Sequence, residues 1–178
     1  MSEAIRAAAA QITRLYDDIY RWLPERSKNE EGLRRWREAC SRFHLAYPKL
    51  AFPGGLTRLH AELPKGNTAV IEDAVRFLET DPYFFRSGYL KEEVLRYLAR
   101  APLEAHQESR LRDVILARVR GPARREFRRY CRLARRLSTA DFNAQLQEVA
   151  EGEPGIASRH AKWVLQAIRQ EGPLPRAP

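Results

Sequence analysis

Apolar residues recur at spacings of three and four positions along most of the chain, which is the period of a helix that buries one face. No segment alternates convincingly between apolar and polar residues, as a half-buried β-strand does. Proline, glycine and helix-capping residues separate the periodic segments from one another. The pattern therefore predicts an all-α protein.

Residues 1–47 predict a helical hairpin. One helix begins at Ser2 and ends before Pro24, because proline lacks the amide hydrogen that the next helical turn requires. A second helix follows a polar turn, with Ser27 or Asn29 as its cap, and its apolar positions end at Tyr47. The turn between them is short, so we expect the two helices to lie antiparallel.

A Pro/Gly-rich segment, residues 48–67, separates this hairpin from the rest of the chain. Its pattern predicts one short helix, Leu56–Leu63, in an otherwise irregular connector. Long irregular segments are uncommon inside compact domains, and we therefore expect a subdomain boundary here.

Six further helices are predicted between residues 68 and 171, and three of them share a sequence pattern. VLRYLAR from Val94, YCRLARR from Tyr130 and VLQAIRQ from Val164 align at separations of 36 and 34 residues. Pairing each with the helix before it predicts about three helical hairpins in an α-solenoid-like stack, although unrelated amphipathic helices would align in a similar way. The arrangement resembles HEAT and tetratricopeptide proteins without either consensus signature, and the resemblance implies only a general interaction surface. Residues 172–178 are predicted to be a disordered tail.

The most specific feature is an arginine window, Arg118–Arg136, with nine arginines and one acid, Glu126. The window carries a charge of +8, whereas the whole chain carries +9. On one continuous helix, seven of the arginines fall in an arc of about 140°. We call these seven residues the arginine face: Arg124, Arg125, Arg128, Arg129, Arg132, Arg135 and Arg136. Apolar residues occupy the opposite side of that helix, namely Ala123, Phe127, Tyr130, Cys131, Ala134 and Leu137.

Like charges four residues apart destabilise a helix, so we expect another group to offset the repulsion within the arginine face. Phosphates of a nucleic acid are the first interpretation, and an acidic protein partner is the second. The third is internal neutralisation by the chain's own carboxylates, for which the candidates are Glu104, Glu108, Asp113 and Glu148. An ordinary solvated surface is the alternative to all three, because most charged runs have no further role.

An aromatic segment, DPYFFRSGYL, is a possible second contact and includes Tyr83, Phe84, Arg86 and Tyr89. Aromatic side chains in such a turn usually pack against a neighbouring helix. Exposed aromatic rings beside arginine also stack on bases or contact partner proteins. Solvent exposure distinguishes the two interpretations.

The sequence does not predict a catalytic, metal or cofactor site. Cys40 and His44 lie four residues apart, but a metal needs three or four ligands and no matched second pair is nearby. The sequence contains none of the phosphate-loop, zinc-protease or nucleophile-elbow motifs. We therefore predict no enzymatic activity and no small-molecule substrate.

Composition adds a preference for anionic partners. The chain of 178 residues is basic, with 27 arginines and 5 lysines, although the choice of arginine over lysine also reflects genomic base composition. It has no apolar run long enough for a membrane span, and its two cysteines fit a reduced, cytoplasmic protein. We therefore predict a cytoplasmic scaffold that uses the arginine face to bind a nucleic-acid backbone without sequence specificity. The alternative is an adaptor or immunity-type protein that binds an acidic protein surface.

Overall fold

The computed structural model describes residues 2–122 and 124–170. Within these residues the regular structure consists of nine α-helices and a short 3-10 helix, with no strand, so the predicted all-α class is confirmed. The predicted tail and Ala123 lie outside the described residues. The chain forms two compact units, residues 1–87 (unit 1) and 88–178 (unit 2). This division falls after the segment 48–67 in which we expected a boundary.

Unit 1 begins with the predicted helical hairpin, formed by α1 (Ser2–Trp22) and α2 (Glu30–Leu50), which pack against each other. Asn29 caps α2, because its side-chain oxygen accepts a hydrogen bond of 2.7 Å from the amide of Gly32. Arg42 donates a hydrogen bond of 2.6 Å to Asp18, which joins the end of α1 to the middle of α2. The two helices predicted for this segment therefore form and pack against each other.

The α2 helix continues beyond the predicted end at Tyr47 and includes Pro48. The amide of Ala51 donates to the carbonyl of Tyr47 at 3.0 Å, so the helical bonds resume after the proline. Pro48 removes only its own hydrogen bond, the one to the carbonyl of His44, and His44 is exposed to water. A proline in the last turn of an exposed helix therefore does not stop it.

Much of the segment predicted as an irregular connector is helical. It contains α3 (Gly55–Glu62) and a 3-10 helix (Leu63–Lys65), and α3 agrees closely with the predicted short helix. The next helix, α4 (Thr68–Thr80), is capped by Asn67, whose side chain accepts from the amides of the first turn. The core of unit 1 includes Ile12, Leu59, Val70, Ile71, and the rings of Phe52 and Phe77, whose centroids are 5.6 Å apart.

Unit 2 contains five helices, of which the first begins at the unit boundary. These are α5 (Ser87–Leu98), α6 (Ala105–Val119), α7 (Phe127–Arg136), α8 (Ala140–Glu151) and α9 (Ile156–Arg169). The α8 and α9 helices form a hairpin, and α7 packs mainly on α9 rather than on α6. The buried hydroxyl of Ser158 donates to the carbonyl of Ala150 at 2.7 Å and fastens the two arms of the hairpin.

The arginine helix is shorter than predicted. It begins at Phe127 rather than directly after Pro122, so Arg124 and Arg125 precede it. Tight turns form the segment before the helix. The amide of Phe127 donates to the carbonyl of Arg124 at 3.0 Å, and the amide of Arg129 donates to the carbonyl of Glu126 at 2.8 Å. The continuous arc of seven arginines on one helix is therefore corrected to five on α7 and two on the preceding turn. Among the described helices, none combines the length and apolar character needed to cross a lipid bilayer.

Candidate nucleic-acid interface

Positive charge is concentrated in unit 2. This unit has 18 lysines and arginines against 11 acidic residues, a net charge of +7. Unit 1 has 14 against 12, a net charge of +2. The arginine face therefore belongs to the unit that carries most of the charge of the chain.

Packing of the inner side of α7 sets the direction of its arginines. The buried side chains are those of Phe127, Tyr130, Cys131, Leu133, Ala134 and Leu137. Phe127 lies 4.4 Å from the buried ring of His160 on α9, measured between ring centroids, and His160 lies 5.4 Å from Trp163. These contacts hold α7 against α9, and they leave the arginines on the outer side of α7.

The five arginines on α7 differ in exposure. Arg132 and Arg136 are exposed, whereas Arg128, Arg129 and Arg135 are partly buried. Although the Arg132 side chain is exposed, the surrounding protein removes some of its hydration and so lowers its pKa, and the positive charges of Arg129, Arg128 and Arg135 lower it further. The arginines of α7 therefore repel one another, and a negative charge brought to Arg132 would relieve that repulsion.

The shorter helix reduces the predicted repulsion without removing it. One continuous helix would place four pairs of these arginines at i,i+4, but only Arg128/Arg132 and Arg132/Arg136 lie wholly within α7. At about 0.2–0.5 kcal/mol per pair, these two destabilise the helix by about 0.4–1 kcal/mol. Arg132 belongs to both pairs and is the centre of the charged surface.

Two of the four carboxylates predicted to neutralise the arginine face lie near other basic residues. Glu104 lies 3.3 Å from His106, and Glu108 lies 4.0 Å from Arg112. Arg129 and Arg132 form no ion pair or hydrogen bond with any side chain or carbonyl in the described ranges. The outer charges of α7 therefore include two that are available to an external anion.

Arg125 has a different environment from the arginines on α7. Its Nε lies 3.2 Å from Oε2 of Glu92, and its guanidinium carbon lies 3.8 Å from the centroid of the Tyr89 ring. We call this arrangement the Tyr89–Arg125 stack. Arg136 is also engaged, since its Nη1 donates to the carbonyl of Leu98 at the end of α5, at 2.9 Å. Both arginines therefore help to hold unit 2 together as well as contributing charge.

Lys91 and Glu126, close in sequence to Tyr89 and Arg125, form a buried ion pair that the sequence patterns do not predict. Nζ of Lys91 lies 3.8 Å from Oε1 of Glu126, and the side chains are only 1% and 4% exposed. Glu126, the one acid in the arginine window, is thus part of the interior. The helical spacing contains a signal for this position, because Lys91 lies on the same stripe of α5 as Val94, Leu95 and Leu98.

The aromatic segment is divided between the two units. In unit 1, Tyr83 is 78% exposed, whereas Phe84 is buried with its ring centroid 6.2 Å from that of Tyr47. Arg86 is exposed and has a positive φ of 64°, and the Phe85 ring stacks on Tyr16 at 4.2 Å. Phe84 therefore packs inside unit 1, whereas Tyr83 and Arg86 are exposed and stay candidates for contact with a partner. Tyr89, in unit 2, is 52% exposed.

The described residues contain no group of three or more histidines, cysteines or acids that could hold a metal ion. The ring of His44 instead forms a 2.8 Å hydrogen bond with the backbone carbonyl of Cys40, on its own helix. Burial raises the pKa of the Cys131 thiol to about 12, so this thiol is protonated at neutral pH. The groups that this site offers to a ligand are therefore guanidinium cations and aromatic rings.

Comparison with protein-family models, with curated proteins and with solved structures finds no match to this chain.

Proposed function

We propose that this protein is a non-enzymatic binding module whose arginine face holds the phosphate backbone of a nucleic acid. The observation that carries the proposal is the clustering of five arginines on α7, of which Arg129 and Arg132 have no ion-pair or hydrogen-bond partner among the described residues. Phosphate oxygens arranged along a backbone would neutralise several of these guanidinium groups at once. Guanidinium groups also suit phosphate geometrically, because their N–H donors form paired hydrogen bonds with two oxygens.

The internal contacts suggest different roles for members of the arginine face. Arg125 is already paired with Glu92, and Arg136 donates to a backbone carbonyl, so we assign these two mainly to positioning. Arg129 and Arg132 are assigned to phosphate contact, with Arg128 and Arg135 beside them on the same helix. Contacts of this kind do not read bases, so the expected binding is not sequence-specific.

Salt dependence tests the proposal. If about four arginines displace counterions from duplex phosphates, the slope of log K against log salt concentration is about −3.6. Replacing two of them, with Arg129→Gln and Arg132→Gln together, should flatten the slope by about 1.8 and weaken binding to all sequences alike. Fluorescence anisotropy with labelled random-sequence duplex and single strand, from about 50 to 200 mM salt, measures both quantities.

A charge-matched control is available in unit 1. Arg6 and Arg14 are exposed on α1 and form no ion pair among the described residues. The double variant Arg6→Gln, Arg14→Gln changes the net charge equally and should leave the slope unchanged. If the two double variants lost the same affinity for nucleic acid, net charge alone would account for binding. No binding at about 50 mM salt would refute the proposal and favour an acidic protein partner.

The stability of the double variant addresses internal neutralisation. Since Arg129 and Arg132 have no carboxylate partner in the described part of the chain, their replacement should not lower the melting temperature. An earlier melt would mean that these arginines stabilise the fold and would support the structural interpretation.

The solenoid-like arrangement of helices 68–171 and the cytoplasmic location belong to the same proposal. The hairpin formed by α8 and α9, with α7 packed on α9, supports the proposal of a helical stack. The cysteines Cys40 and Cys131 are both free, as is usual where thiols stay reduced.

A further inference from the structure

The Tyr89–Arg125 stack lies directly beside the arginine face and combines exposure with a fixed geometry. Tyr89 is 52% exposed, and the Arg125 side chain is 53% exposed. The guanidinium carbon of Arg125 lies 3.8 Å from the centroid of the Tyr89 ring, well within the range of a cation–π interaction. Each group is therefore about half exposed while the two remain in contact with each other.

Ion pairs on neighbouring residues hold both groups of the stack in place. Arg125 is held by Glu92, one helical turn from Tyr89, at 3.2 Å. The next residue along the chain, Glu126, is anchored in the interior by Lys91, which lies two positions after Tyr89. Gly88 leaves room for the Glu126 carboxylate, because a Cβ at position 88 would lie only 3.1 Å from it. The stack is thus preorganised, and a ligand that uses it loses little conformational entropy.

The pairing of Arg125 with Glu92 limits what the stack can bind. A guanidinium already partnered by a carboxylate is a weaker phosphate ligand than the arginines Arg129 and Arg132. What remains is a flat cationic group on an aromatic ring, and such a surface attracts other flat π systems. In a nucleic acid the flat groups are the bases, which are accessible to protein side chains only where they are unpaired.

We propose that the Tyr89–Arg125 stack receives an unpaired base, so that the nucleic acid bound by this protein is single-stranded. This inference rests on the function proposed above, because the arginines of α7 would hold the backbone on either side of the stacked base. Every base has a π face, so the stack adds affinity for single strands without adding sequence specificity.

The test compares a single strand, a duplex and a polyanion that has no bases. The probes are a labelled oligothymidylate of about 15 nucleotides, a duplex of equal length, and polyphosphate as a competitor. Tyr89→Leu keeps an apolar side chain and removes the ring. It should weaken binding of the single strand by about 5- to 100-fold, the range for stacking of one base. Duplex and polyphosphate binding should change by less than about twofold, since no phosphate contact is lost.

Two companion variants separate stacking from charge. Tyr89→Phe keeps the ring and should retain single-strand affinity. Arg125→Lys keeps the charge but loses the planar group, so it should weaken single-strand binding while leaving the salt slope unchanged. The matched control is Tyr20→Leu in unit 1, because Tyr20 is similarly exposed at 55% and should have no effect.

The outcomes distinguish this inference from the proposed function. If Tyr89→Leu leaves single-strand binding unchanged, or weakens duplex and single strand equally, the stacked base is refuted and the arginine-backbone proposal stands. If the wild-type protein binds neither nucleic acid at low salt, both proposals fail. Circular dichroism of each variant identifies any loss of binding that follows from unfolding, and in that case Arg125→Lys decides the question.

Discussion

Replacing Glu126 with glutamine would remove the negative charge that lies 3.8 Å from the Lys91 ammonium in the interior of unit 2. The substitution conserves shape and removes one charge from a pair whose members are 1% and 4% exposed. At the observed separation of 3.8 Å and an effective dielectric constant of about 20, the lost attraction is about 4 kcal/mol. Measured losses from breaking buried ion pairs lie in the same range, about 3–5 kcal/mol. We therefore expect Glu126→Gln to lower the free energy of unfolding by that amount.

Urea denaturation followed by circular dichroism measures this loss, and Glu92→Gln is the matched control. Glu92 lies in the same region, but its partner Arg125 is half exposed, so the control should lose about 1 kcal/mol or less. The double variant Lys91→Met, Glu126→Leu removes both charges and should recover most of the lost stability, because apolar residues of similar volume often replace buried pairs without loss. If Glu126→Gln lowers stability no more than Glu92→Gln, the pair does not anchor the segment before α7.

Two further predictions concern the inner side of α7. Phe127→Ala should lower stability by about 3–5 kcal/mol because Phe127 is buried, whereas Arg132→Ala should lower it little or raise it; the reverse ranking in thermal melts would contradict the assignment of inner and outer faces. The Cys131 thiol, with its pKa raised from 9.0 to about 12, should resist thiol reagents at pH 8 until the protein unfolds. Because the pKa of Cys131 is higher in the folded state, the contribution of this thiol to stability is complete below pH 9 and declines between pH 9 and about 12, by about 1.4 kcal/mol per pH unit. Unfolding curves of wild type and Cys131→Ala at pH 8 and 10 would show this difference, and parallel curves would contradict it.

Local sequence patterns predict the helices well because helix formation is governed by near neighbours. Asn29 was one of two predicted caps, and α4 ends at Asp81-Pro82 as the proline implies. The predicted end of α2 was wrong because a proline does not always end a helix. In an exposed last turn it removes only one hydrogen bond. Such exceptions depend on the exposure of the preceding carbonyl, which the sequence does not reveal.

Contacts between distant residues were the part that the sequence could not predict. Helical periodicity identifies the buried face of a helix but not the partner of that face, so the packing of α7 on α9 was not foreseen. Lys91 and Glu126 are separated by 35 positions, and each alone resembles an ordinary surface charge. The arginines were identified by their density, whereas the contact of Arg125 with Tyr89 and Glu92 depends on the fold.

The burial of Glu126 has a consequence for how this protein can change over evolutionary time. Because its negative charge is matched inside by Lys91, it does not moderate the charge of the neighbouring arginines on the surface. Substitutions at Arg129 or Arg132 can therefore accumulate, or even reverse the sign of the surface, without disturbing the interior. Descendants of this chain could change their ligand while keeping the same fold, and Lys91 with Glu126 would be expected to change only together.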